Sequence, residues 1–423
     1  MYRFAASLSG DMHIDDLRVA LLNFIAARQS GESFLLRLED MDFTHYEEGK
    51  DKELVELLTL FGIQYDQLNY QSENLKFHQQ LATKLLIDQK AFSCFCTPDT
   101  LKQKEEKAAK NNSTYHYDGT CKNLSDAEVL NNESPFMIRI KRPEGETLYT
   151  DICKGTLRFS PEEIDDFVIL NIDKTSTPTF ATAIDDMMFD VSTVIGNDTD
   201  TLETAREIVV RDYLGYDKEI RYAHLPKLDI NNDIPTVKAL MEEGYLPSAI
   251  TNYLLSLSFN TTEEIFTLDE AIAWFNIENL NKEPAGFDIE KLKELNRKHI
   301  MTMDAKTVST RIGYSSEDFG KLAQLLSKET PTLQEIKAKI DKIFAPKVCE
   351  NLNEEFEKLK DIAKKAPYCP TFEEFLAYLE KQSGLNEEQL FKLLPILLTG
   401  EAQTLDISEI YPHIKNYLGE IIK

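Results

Sequence analysis

The stretch Arg3-Phe4-Ala5-Ala6-Ser7-Leu8-Ser9-Gly10-Asp11-Met12-His13-Ile14 reads as a strand, a turn and the start of a helix. Arg3 to Ser7 is a short apolar-leaning run, and Ser9, Gly10 and Asp11 supply turn residues. Leu17, Leu21, Phe24 and Ile25 then recur at helical spacing. Ser33 to Leu38 reads as a second strand. A helix follows it, with Leu54, Leu57, Leu58 and Phe61 on one face and Gly62 as its stop. A strand–helix–strand opening of this kind starts a parallel α/β sheet.

From about Gln79 the texture changes. Leu81, Leu85 and Leu86 mark another helix, followed by a cysteine-bearing segment and a lysine-rich helix from Leu101 to Lys110. Shorter strand-like runs come next, at Phe136 to Ile140 and Thr156 to Phe159, so residues 81–185 read as an insertion in the sheet domain. The sheet resumes with Val191 to Ile195 and a helix near Glu203 to Leu214. Beyond about 225 nearly everything is helical in pattern. Phe356, Leu359 and Ile362 share a face, and Thr371 with Glu374 forms a capping-box pattern. There is no internal repeat and no low-complexity linker.

The chain has 423 residues, of which 73 are acidic and 47 basic, a formal charge of −26. That length exceeds one ordinary core and suits two to four domains. No stretch approaches the ~20 apolar residues of a membrane span, and the first helix-like run carries Arg18 and Arg28 and lacks a signal-peptide pattern. Six cysteines are too sparse for a disulfide scaffold, which points to a reducing, cytoplasmic location. The net charge opposes indiscriminate binding to DNA or anionic membranes but leaves room for a local basic groove.

The sequence resembles bacterial glutamyl-tRNA synthetases, class I enzymes that ligate glutamate to tRNA at the expense of ATP. The resemblance rests on the opening run and on Leu36-Arg37-Leu38-Glu39-Asp40-Met41-Asp42. It continues through Tyr222-Ala223-His224-Leu225-Pro226, Glu243-Gly244-Tyr245-Leu246-Pro247, Asn252-Tyr253-Leu254 and Leu397-Leu398-Thr399-Gly400. It implies an α/β Rossmann-type class I synthetase catalytic domain with an α+β insertion, followed by an all-α C-terminal half. The domains expected are a catalytic domain over 1–80 and 186–225 and an inserted acceptor-stem-binding-like subdomain over 81–185. A helical stem-contact-like region over 226–300 and an α-helical anticodon-binding-like domain over 301–423 complete them.

The family's chemistry needs ATP at a helix N-terminus, glutamate held by opposite charges, and a lysine-rich loop beside the α-phosphate. The ATP motif here reads His13-Ile14-Asp15-Asp16. His13 is in place, but Asp15 stands where the family has glycine, adding bulk and charge; it reads as a helix cap that hinders ATP, the alternative being a tolerated change. Arg3, Ala5, Ser7 and Glu39 match the positions that grip the α-carboxylate and ammonium of glutamate, although Arg3 and Glu39 read equally well as an ordinary ion pair near strand ends. The family's tyrosine falls on Pro178, and its arginine for the substrate side chain falls on Gly196. Between Pro226 and Gly244 there is no Lys-x-Ser-Lys arrangement, only Lys227 and Lys238. Residues 185–235 hold twelve acidic side chains against five basic ones, a balance that opposes two polyanionic substrates.

One constellation is better preserved. Cys94-Phe95-Cys96 is followed by Tyr117 and Cys121, a set similar to the Cys-x-Cys, Tyr, Cys zinc site of some synthetases of this family; the alternative is three reduced cysteines near a loop. Cys153, Cys349 and Cys369 show no ligand spacing and read as packing residues. Lys102, Lys104, Lys107, Lys110 and Lys122 give the insertion a local positive excess, either a tRNA-facing patch or a solvated helix face.

Three elements of one mechanism are altered together. The expectation is therefore a diverged paralogue, catalytically impaired, that keeps a weak tRNA-binding or a protein-binding role. The alternatives are a working glutamate–tRNA ligase in translation and a transferase using another small substrate. ATP with Mg2+ is implied by the resemblance alone.

Overall fold

The computed structural model describes all residues except 42–46, 112, 114, 230–233, 348–352 and 403–404. Asp42, Cys349 and the centre of the stretch between Pro226 and Gly244 lie outside the described residues. The chain forms two compact units, residues 1–237 with 254–287 and residues 238–253 with 288–423.

The first unit is built on strands β1 (Tyr2–Ser7), β2 (Phe34–Glu39), β3 (Gln67–Tyr70), β4 (Ala91–Cys94), β5 (Met137–Ile140), β6 (Thr147–Asp151), β7 (Gly155–Phe159), β8 (Val168–Leu170), β9 (Thr193–Asn197) and β10 (Arg221–Leu225). Its helices include α1 (Ile14–Ser30), α2 (Lys50–Leu60), α3 (Leu75–Ile87), α4 (Pro98–Lys110), α5 (Asp126–Leu130), α6 (Pro161–Ile164), α7 (Pro178–Met188) and α8 (Thr201–Leu214). The main sheet runs β3-β2-β1-β9-β10-β6-β7, parallel throughout except for the edge strand β7. β1 and β2 pair in unbroken register from Tyr2 opposite Phe34 to Ser7 opposite Glu39. Phe34, Leu35, Leu36 and Leu38 are all fully buried, as parallel strands covered on both faces require.

The strand order reverses between β1 and β9, the place where doubly wound sheets open a crevice. Helix α1 leads away from it, packing Leu17, Leu21 and Ile25 into the core. Asn23 is buried on the same helix and is fully employed. Its amide donates to the Ile195 carbonyl at 2.8 Å and its oxygen accepts from the Ile195 N–H at 3.0 Å, which fixes α1 against β9.

The stretch 81–185, expected as one insertion, contributes to two sheets. β4, β5 and β8 form a separate antiparallel sheet, whereas the β6–β7 hairpin completes the edge of the main sheet beside β10. Thr147, Tyr149 and Asp151 point inward in alternation. Tyr149 packs edge-on against Tyr222 at 5.6 Å, and Asp151 accepts from both the backbone N–H and the ring of His224.

The second unit is helical, with a core that includes Leu322, Ile336, Ile340, Phe356, Leu359, Phe375, Leu394 and Tyr411. Thr371 caps its helix by accepting from the Glu374 N–H at 3.3 Å. Helix Glu317–Leu326 lies so close to the Ala305 carbonyl that a Cβ at Gly320 would stand 1.7 Å from that oxygen, so only glycine fits there.

Candidate active site

The crevice at the β1/β9 fork is a cleft of about 290 Å³ lined from β1, β2, α1, α7, β9 and α8. Asp186 of α7 is fully buried beside it. Its Oδ1 accepts from Arg3 Nε at 3.1 Å and from Arg37 Nη1 at 2.7 Å. Burial alone would raise the Asp186 carboxyl, but the Arg3 and Arg37 charges outweigh it and hold the group below the usual carboxylate range. Arg37, itself without exposed surface, also donates to Thr182 Oγ1 at 3.0 Å and lies 3.6 Å from Glu39. The adjoining Asp185 faces the other way and accepts from His78, Asn74 and Gln71 at 2.8–3.0 Å.

Arg3 and Glu39 are therefore not partners, contrary to the ion-pair expectation. The register puts Arg3 opposite Leu35 and Glu39 opposite Ser7, at opposite ends of the paired strands. Arg3, Ala5, Glu39, Asp16, Pro178 and Gly196 all line the cleft; Ser7 does not, and its hydroxyl pairs with that of Ser9 at 2.8 Å. Pro178 is at the first turn of α7, where the lack of an N–H costs nothing. A Cβ at Gly196 would meet Asp200 Oδ2 and His224 Cδ2 at 3.8 Å, so the position has room for a side chain.

The head of α1 departs from expectation in a second way. His13 is the N-cap, and the carboxylate that reaches back to its N–H, at 3.3 Å, belongs to Asp16 rather than Asp15. A residue three places into a helix can fold back over the cap, whereas the second-place side chain of Asp15 is directed elsewhere. Asp15 Oδ1 is buried without a hydrogen-bond partner, and burial raises its carboxyl. Residues 234–237 run across the helix head. The Ile14 N–H donates to the Pro235 carbonyl at 3.3 Å, and His13 Nδ1 lies 3.0 Å from the Ile234 carbonyl. The Val237 N–H donates to the Met12 carbonyl at 2.9 Å.

In the small sheet, the thiols of Cys94, Cys96 and Cys121 lie within 4.8 Å of one another, all buried. Cys96 and Cys121 are 3.8 Å apart, and the Tyr117 hydroxyl is 3.3 Å from Cys94 and 3.7 Å from Cys96. Tetrahedral bonds of ~2.3 Å around one ion put sulfurs ~3.8 Å apart, so the donor set fits a single tetrahedral metal. Tyr117 is held by the Arg139 guanidinium 4.1 Å over its ring and by the Cys121 N–H, which donates to its oxygen at 2.9 Å.

Comparison with known proteins agrees with this architecture. Residues 1–294 match the family model for the catalytic domain of class I tRNA synthetases for E and Q. The chain is 44% identical to glutamate–tRNA ligase 2 of Sulfurimonas denitrificans and 45% identical to glutamate–tRNA ligase 1 of Nitratiruptor sp., over the full length of both chains in each case. This chain belongs to the glutamate–tRNA ligase family. A crystal structure of a glutamate–tRNA ligase from Elizabethkingia meningosepticum superposes with a TM-score of 0.81 at 23% identity, covering 99% of this chain and 97% of that one, which supports the shared fold. The family's reaction uses ATP with Mg2+, and tRNA is its substrate partner. Among the described residues no helix is long and apolar enough to cross a membrane.

Sequence reasoning missed Asp186, Glu207 and Arg211, which the fold brings to this cleft. One signal was available: Arg37 lies inside an apolar strand run, and a buried guanidinium demands a buried anion. Glu207 of α8 lines the cleft at 7% exposure, with Arg211 Nη1 3.6 Å from its Oε2. Burial pushes its carboxyl up to about 7 from 4.5; Arg211 opposes the rise and Asp186 adds to it. The folded chain thus binds this proton more tightly than the unfolded one. The stability it contributes is present below about pH 4.5 and is lost as pH rises through about 7. Urea unfolding of wild type and Glu207→Gln should show the variant gaining stability relative to wild type as pH rises across that window; a constant difference would contradict the assignment.

Proposed function

We propose that this chain is a diverged member of the family that does not activate glutamate at an appreciable rate and keeps a binding role, for tRNA or for a protein partner. The observation that carries this reading is the closed head of α1. Phosphate binding at a helix N-terminus uses free N–H groups of the first turn. Here the Ile14 N–H, the His13 N–H and the His13 ring are engaged by the chain itself. Arg3, which would hold the α-carboxylate of glutamate, is bound to Asp186, and Gly196 offers no side chain to the substrate's other end.

Adenylate formation requires a carboxylate to attack an α-phosphate whose charge is stabilised by such groups. Losing one preorganised donor commonly costs about 10²–10³ in rate. Pyrophosphate exchange with ATP, glutamate and a tRNA pool should therefore run at least ~10³-fold below an ordinary ligase. Asp15→Gly alone should not restore it, because the carboxylate at the cap is Asp16. Exchange within about tenfold of a working ligase would overturn the reading. A second reading, a working ligase with replacement residues, is favoured by the 44–45% identity to glutamate–tRNA ligases over the whole chain, and the same assay decides between them.

In this reading residues 81–185 serve an acceptor-stem-like role and residues 301–423 an anticodon-binding-like one. The exposed Lys102, Lys107 and Lys110 of α4 are the local cations available to a polyanion on a chain of net charge −26. Cys94, Cys96, Tyr117 and Cys121 would hold one structural zinc, supported by the 3.8 Å thiol spacing. Metal analysis of untagged protein should give about one zinc per chain. Cys121→Ala should release it and loosen the small sheet, since metal binding and local folding are linked. Freshly purified, reduced protein without metal would reject the site.

A further inference from the structure

Arg139 of β5 lies within the apolar strand run Met137-Ile138-Arg139-Ile140 and is only 6% exposed. A guanidinium keeps its charge in a protein, so burying one demands an anion beside it. Among the described residues Arg139 has no carboxylate partner. Its Nη1 donates to the main-chain carbonyl of Asp166 at 2.7 Å, and its Nε is buried without a hydrogen-bond partner. The neighbouring acids are committed elsewhere. The Asp166 carboxylate takes Lys122 Nζ at 2.8 Å, the Asp165 carboxylate takes the Tyr117 N–H at 3.0 Å, and Asp118 takes Lys104 Nζ at 2.7 Å. What Arg139 faces instead is the cysteine cluster. Its guanidinium carbon stands 4.1 Å over the centre of the Tyr117 ring, and its charge also bears on Cys94.

We propose that Arg139 is the buried counter-ion of the metal centre formed by Cys94, Cys96, Tyr117 and Cys121, and that it positions Tyr117 as the fourth ligand. Three thiolates around a divalent ion leave the centre anionic, and a phenolate adds a further negative charge. A centre of that charge inside a fold requires a fixed cation beside it. Arg139 supplies the charge. Its place over the ring face also holds the phenol where its oxygen lies 3.3 Å from Cys94 Sγ and 3.7 Å from Cys96 Sγ. Lys104, the other cation whose charge bears on the cluster, is already paired with Asp118.

This inference rests on the zinc reading, and the two fail distinguishably. Zinc affinity of the full chain is measured by competition with a chromophoric chelator, and the cobalt(II)-loaded chain is followed by its visible spectrum. Arg139→Gln should weaken zinc binding about 10–100-fold, and Arg139→Lys, which keeps the charge, should recover most of that loss. Tyr117→Phe should shift the cobalt bands, and Arg139→Gln should shift them in the same way. A merely loosened sheet would lower the affinity without moving the bands. Circular dichroism checks that each variant folds, and the Tyr117→Phe spectrum decides the matter even where Arg139→Gln does not. Wild-type affinity and spectrum in folded Arg139→Gln, Arg139→Lys as weak as Arg139→Gln, or unchanged cobalt bands in Tyr117→Phe would each overturn the proposal. Those results with zinc still bound by the wild-type chain sink this inference alone, whereas a wild-type chain that takes up neither zinc nor cobalt sinks the zinc reading and this inference with it.

Discussion

Asp186, with no exposed surface, holds two guanidinium groups from adjacent strands, and the fork of the sheet is organised around it. A carboxylate so placed is expensive to desolvate, and either arginine buried alone would be as costly; the three are stable only together. The triad ties β1, β2 and α7 into one unit at the point where the strand order reverses. It also decides what the cleft can do. An arginine that neutralises an internal carboxylate at 3.1 Å is not free to take a substrate carboxylate without giving that partner up.

The same logic governs the head of α1. The first turn of a helix offers unpaired N–H groups, and the chain itself supplies acceptors there: the Pro235 carbonyl takes the Ile14 N–H, Asp16 takes the His13 N–H, and the Ile234 carbonyl faces the His13 ring. In the family the neighbouring stretch carries a lysine-bearing loop. Here residues 234–237 pair with residues 12–14. Closed helix head and neutralised arginines are thus two consequences of where carboxylates and carbonyls were placed.

Much of the sheet was legible before any coordinates. The apolar runs at Arg3 to Ser7 and Ser33 to Leu38 became β1 and β2, and the turn at Ser9 to Asp11 lies in the connection from β1 to α1. The cysteine spacing brought Cys94, Cys96 and Cys121 together with Tyr117. Long-range polar pairing was not legible. Nothing local shows that Arg3 would meet Asp186, 183 residues away, rather than Glu39, or that a carbonyl at Ile234 would reach His13. The hairpin at 147–159 joined the main sheet because Tyr149 and Asp151 found Tyr222 and His224, partners that strand propensity does not reveal.

The claim at the centre of this account is that the helix head is already filled. Direct titration of the full chain with ATP and Mg2+, followed by calorimetry without any turnover, tests it most simply. The account predicts no saturable binding up to about 1 mM nucleotide. Saturable binding with a dissociation constant of about 10 μM or tighter would mean that residues 234–237 yield the first turn of α1 to phosphate, and would contradict it.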